Sequence, residues 1–197
     1  MQRKTVFTRL AARPNFKVSS PPPVLFYNGV TCHLNTLVHQ FSQLTTKPDY
    51  QIVSNAGQVY ASSERNRFKE EEMFAVSGDS SPLSYLQASV CYHELKRYSE
   101  DNSSDWQVDQ IIDDFLISRF QEIHLWPFCL QMNGWNPIFF YDLLDHPVVI
   151  FYTYHSDVCS YVLKHTHRFA HTSYHQKVDS KVELTGENYS ISWKRLS

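Results

Sequence analysis

The chain has 197 residues, 42% of them hydrophobic and 15% aromatic, which suits one folded domain with tails and excludes a largely disordered polypeptide. Only 5 glycines are present, and neither G-x-G-x-x-G nor G-x-x-x-x-G-K-[ST] occurs, so glycine-rich phosphate loops are excluded. A formal net charge of −2 gives no general attraction to nucleic acid. No run approaches the roughly 18 apolar residues of a membrane span, so none is expected.

Residues 1–48 carry Arg3, Lys4, Arg9, Arg13, Lys17 and Lys47 and no acid. The expectation is a flexible basic arm over 1–23 that ends in Ser19-Ser20-Pro21-Pro22-Pro23, whose prolines make a stiff lead-in. An Arg-rich, acid-poor start is also how a mitochondrial presequence reads. One domain is expected over 24–193, mainly helical over 24–124 and mainly β over 125–193, followed by a basic tail at 194–197.

The first element of that domain is a helix. Leu34, Leu37, Val38 and Phe41 recur at the i, i+3, i+4, i+7 spacing of one buried face. Asn28, Gly29 and Thr31 supply turn and cap chemistry just upstream. Cys32 then falls at or beside the first helical turn, where unpaired N–H groups and the helix dipole favour a thiolate. It is a candidate nucleophile, or else a small apolar residue packed beside the helix. From Thr45 to about Ser80 the chain reads as polar and irregular. Ser81-Pro82 starts a second helix, with Leu83, Leu86 and Val90 facing inward. Ser104 to Gln107 matches a capping box, and Val108, Ile111, Ile112, Phe115, Leu116 and Phe120 continue it as a third amphipathic helix.

From Leu125 onward the period becomes strand-like. Pro137–Tyr141 and Val148–Tyr154 are β-branched and aromatic runs, and Val158–Leu163 follows as the second arm of a hairpin. Val182–Leu184 and Tyr189–Trp193 are shorter candidates. Helices early and an antiparallel sheet late make an α+β fold.

A thiol nucleophile needs a base, most often histidine, and ten are present. His146 is distinguished by standing at the threshold of the most apolar strand, where its ring projects from a sheet edge. The four cysteines (Cys32, Cys91, Cys129 and Cys159) are widely spaced with no C-x-x-C pair, so reduced thiols in a cytosol-like compartment are expected, two disulfides being the alternative.

Two segments carry a resemblance. Phe26–Phe41, "FYNGVTCHLNTLVHQF", and Asp142–Asp157, "DLLDHPVVIFYTYHSD", together resemble the nucleophile and histidine signatures of the papain-like leader proteases of picornaviruses, of the foot-and-mouth disease virus type. The resemblance covers about 35 residues. It implies a papain-like fold in which Cys32 is the nucleophile and His146 the general base, with Asn28 and the Cys32 backbone N–H forming the oxyanion hole. It implies acyl-enzyme chemistry without a cofactor or metal, in the host cell cytoplasm. The substrates it implies are the protein's own polyprotein junction and a host translation-initiation scaffold or innate-immunity factor. Leu196 and Ser197 would then be the substrate-like C-terminus left by self-cleavage. Two positions depart from the pattern. His33 stands where the family has tryptophan, and Tyr161 where it places the Asp that orients the imidazole; Asp157 is the nearest carboxylate after His146.

Two other functions compete. "HTHRFAHTSYH" gathers His165, His167, His171 and His175, which could ligate zinc, though the spacing matches no zinc signature and solvated histidines on a loop are the simpler expectation. The tyrosine-rich strands also suit a non-catalytic binding module, in which Cys32 is chemically inert.

Overall fold

The computed structural model describes residues 4–13, 32–63, 69–99, 106, 110–117, 134–156, 160–171 and 173–185, with backbone alone for 32, 156, 160 and 182–185. The fold is mixed α/β, built mostly of antiparallel sheet with few helices. In chain order it begins with β1 (Thr5–Val6), α1 (Arg9–Ala12), β2 (Cys32–His33), α2 (Asn35–Val38) and β3 (Leu44–Thr46). There follow β4 (Tyr50–Asn55), β5 (Gln58–Ser63), a 3-10 turn (Glu72–Ala75), β6 (Val76–Gly78) and α3 (Pro82–Lys96). The last part holds β7 (Ile111–Ile112), β8 (Ile138–Tyr141), β9 (Pro147–Ser156), β10 (Ser160–Phe169) and β11 (Gln176–Thr185).

The late strands form a six-stranded sheet in the order β1-β8-β9-β10-β11, with β7 pairing the same edge of β9 beyond β8. This is the antiparallel sheet expected from the β-branched runs, longer at both ends. Along β9 the side chains alternate between two faces, as a strand's must. Val149, Phe151 and Thr153 face α3, while Tyr152 and Tyr154 join Trp135, Ile112 and Ile117 in a smaller cluster behind the sheet. The main core lies between α3 and the sheet and extends to Phe41, Ile52 and Met73.

Before residue 80 the structure corrects the expectation of a mainly helical half. The helix expected over Leu34–Phe41 is one turn, Asn35–Val38, preceded by a strand. Leu34, Leu37, Val38 and Phe41 are all buried, so the helical spacing reports burial, which a turn and a loop satisfy as well as a helix. The stretch expected to be irregular holds a hairpin, β4–β5, closed by Ala56 and Gly57 with φ of 47° and 71°. Positive φ at both central residues is the turn that matches strand twist. The third helix is also corrected in part: Ile111–Ile112 is a strand against β9, with helical backbone only over 114–117 among the described residues. The capping box and Tyr189–Trp193 lie outside the described residues. The helix from Ser81 stands as expected: Pro82 begins it and the Ser81 hydroxyl accepts from Ser84 N at 3.2 Å.

Tyr174 pins the start of α3 to the β10–β11 turn. Its hydroxyl bonds Ser84 Oγ at 2.7 Å and accepts from Ser80 N at 3.0 Å. Gly78 is packed beneath it: a Cβ there would lie 2.6 Å from the Tyr174 hydroxyl and 2.8 Å from the Gln43 carbonyl oxygen. Because backbone cannot swing aside, Gly78→Ala is expected to destabilise by roughly 1–3 kcal/mol, read as a lower urea midpoint.

Candidate active site

The turn between β8 and β9 is organised by one carboxylate. Asp142 Oδ1 accepts from Leu144 N at 2.8 Å and from His146 N at 3.0 Å, while Asp142 N donates to the His146 carbonyl at 3.0 Å. Asp145 takes the left-handed conformation, φ 62°, that closes the turn. The Arg168 guanidinium, from β10, pairs with Asp142 Oδ2. Burial alone would raise the Asp142 pKa, but the two backbone donors and Arg168 outweigh it and hold the carboxyl below its usual value.

His146 sits on this frame with its side chain 28% exposed, and its Nδ1 lies 3.6 Å from Asp142 Oδ1. That distance is too long for a hydrogen bond but within ion-pair range once the imidazole is protonated. The His171 ring lies over it, centroids 4.4 Å apart and tilted by 30°. An imidazole whose Nδ1 side faces a fixed carboxylate has its Nε2 left to take part in proton transfer. Asp142, not singled out in the sequence, therefore stands where an orienting group is needed. The sequence signal was an Asp four residues before the His, across a Leu-Leu-Asp turn.

The other expected residues are placed as follows. Cys32 lies in β2 opposite Ser54, in a three-stranded sheet β2-β4-β5 separate from the sheet of His146. Asn35, within the resembling segment, ties α2 to β4 by accepting from Ile52 N at 2.8 Å. The Ser54 hydroxyl donates to the Tyr98 carbonyl past the C-terminal end of α3, at 2.9 Å. Phe169, beside Arg168, packs on Tyr85 near the N-terminal end. At 1.5 Å per residue those two helix positions are about 20 Å apart, so Cys32 and His146 belong to opposite ends of α3. Asn28, Asp157, Leu196 and Ser197 lie outside the described residues. Tyr161 stacks on His155, centroids 4.9 Å apart, and makes that contact at the position where an Asp was looked for.

Cys91 is the described thiol, and it is fully buried in α3. Burial first, then Glu94 and Glu72, push its pKa far above the usual thiol value, which makes it inert.

The histidine-rich segment also needs correction. His165 and His167 are not solvated loop residues; they lie on β10 facing α3 and are 4% and 0% exposed. Period-2 spacing puts both on the buried face, while His171 and His175 lie in the turn beyond. Among the described residues no group of three or more His, Cys, Asp or Glu side chains is arranged to hold a metal ion. No described helix is long and apolar enough to cross a membrane.

Neither a family model, nor a curated protein, nor a solved structure matches this chain.

Proposed function

We propose that the chain is a cysteine endopeptidase of the leader type, with a papain-like division between a Cys segment and a His strand. The observation that carries the proposal is the His146 site, an imidazole at the head of an apolar strand with the Arg168-held carboxylate of Asp142 at its Nδ1. The resemblance of Phe26–Phe41 and Asp142–Asp157 supplies the nucleophile. The Cys32 thiolate would attack a peptide carbonyl to form a thioester, and His146 would pass its proton to the leaving amine. Water would then hydrolyse the thioester, with Asn28 stabilising the oxyanion. Asp142 replaces Asp157 as the orienting group. The substrates are the protein's own polyprotein junction and host factors in the cytoplasm. The first step requires Cys32 within hydrogen-bond reach of His146 Nε2, so the two-residue pairing of β2 with β4 has to give way.

A second reading, a non-catalytic binding module, is favoured by the position of β2 at the far end of α3 from His146. A peptide chloromethyl ketone patterned on Arg195-Leu196-Ser197 separates the two. The protease reading expects selective alkylation of Cys32, slowed about 100-fold or more in His146→Ala and less in Asp142→Asn. Alkylation of Cys32 at the rate of a free thiol in all three proteins would leave the binding module.

A further inference from the structure

Four histidines line the interface between α3 and the six-stranded sheet. His93 from α3 meets His167 from β10 with Nε2 to Nε2 at 3.0 Å, and His167 Nδ1 lies 3.0 Å from Gln176 Oε1 on β11. His165 Nε2 lies 2.7 Å from Thr153 Oγ1, and His155 Nε2 lies 2.9 Å from the same hydroxyl. His165 Nδ1 reaches Ser180 Oγ at 2.9 Å. Trp106 stacks on His93 with centroids 4.3 Å apart, Phe151 stacks on His165, and Tyr92 meets His93 and His167 edge-on.

We propose that this histidine seam is an acid-released latch, which fastens α3 to the sheet at neutral pH and lets it go in mildly acidic solution. The reason is proton counting. Gln176 Oε1 can only accept, so His167 carries its proton on Nδ1 and offers a bare Nε2 to the His93 Nε2–H. A second proton on His167 goes to Nε2 and sets N–H against N–H at 3.0 Å, so the contact cannot persist, whereas a second proton on His93 goes to Nδ1 and places an uncompensated charge in the buried seam. Among the described residues no carboxylate is free to compensate the added charge. On the α3 side Glu94 is engaged by Trp106 Nε1 at 2.9 Å and Arg97, and Glu72 by Lys96 at 2.8 Å. Tyr92 is the neutral phenol facing the seam from α3; β11 contributes Gln176 and Ser180; β9 contributes Thr153 and His155. Burial accordingly depresses the imidazoles: His165 to about 3, His167 to about 4, and His93 well below the ordinary value.

The sign follows from those depressed values. Above pH 6.5, the ordinary histidine value, the folded and unfolded chains are alike in protonation at these sites. Below it the unfolded chain binds more protons, so stability is complete above that pH and is lost as pH falls toward the folded values. With three such sites the open-to-closed ratio rises by up to about a thousandfold per pH unit.

The test is a pH titration of the full chain from 8 to 3, followed by near- and far-ultraviolet circular dichroism with proton uptake measured alongside. The expected result is a reversible loss of near-ultraviolet signal between pH 6 and 4, with uptake of about three protons in excess of the closed state. His93→Gln, which can still donate to His167, is expected to move the midpoint down by half a unit or more. If that variant does not fold, proton uptake by the unaltered protein decides. A transition confined below pH 4, or one that takes up a single proton, would overturn the proposal, as would an unmoved midpoint in a folded variant.

Discussion

Replacing Glu94 by alanine is expected to destabilise the protein by about 3 kcal/mol or more, the scale for removing one partner of a buried charged cluster. Glu94 is 3% exposed and ties α3 to Trp106 beyond its C-terminal end. Its two oxygens take the Trp106 indole N–H at 2.9 Å and the Arg97 guanidinium at 3.1 Å. Alanine would leave an indole donor and a largely covered cation without partners, each a desolvation cost with no return. Glutamine keeps the acceptor for Trp106 and gives up only the ion pair, so Glu94→Gln is expected to lose about a third as much. Urea unfolding of the three proteins reads both values as midpoints at constant slope. Equal losses for the two variants would mean that charge, not the Trp106 hydrogen bond, holds this corner.

Phe151→Ala is expected to cost roughly 3–5 kcal/mol, the range for removing a large aromatic ring from a closed core. Phe151 is fully buried at the centre of the α3 interface. It stacks on His165 with centroids 4.8 Å apart and meets Trp106 and His93 edge-on. Phe151→Leu keeps most of the volume and is expected to cost less than half as much. Because Phe151 and Glu94 share Trp106 as a neighbour, their effects are not expected to add, and the double variant measures the coupling. Calorimetric or urea unfolding checks the values.

Residues decide how much of this could be read in advance. The Ser81-Pro82 start of α3 and the Val148–Tyr154 strand were legible because cap chemistry and β-branched runs act locally. The β4–β5 hairpin was not, because exposed Gln51 and Gln58 and half-buried Ser62 and Ser63 give the segment a polar look that hides the buried Ile52 and Ala61. That His165 and His167 share one strand face was not legible, because the strand-like run stops at Leu163 while β10 continues to Phe169. Nor was their burial, because it depends on His93, which is 72 residues away in sequence (165 minus 93) and gives no signal of its own on α3. Of the candidate site, the position of His146 at the head of an apolar strand was legible, because the β-branched run after Pro147 marks that strand locally. Asp142 was not legible because the resemblance places an orienting Asp after the histidine, whereas the tight turn brings this carboxylate back from four residues before it.

The central claim is that Cys32 and His146 act together on a peptide bond. Cell-free translation of the chain extended past Ser197 tests it, comparing the natural sequence with Cys32→Ala and His146→Ala. The expected result is release of the downstream segment by the natural sequence and by neither variant. No release from any of the three, with the protein folded, would contradict the protease reading and leave the binding module in its place.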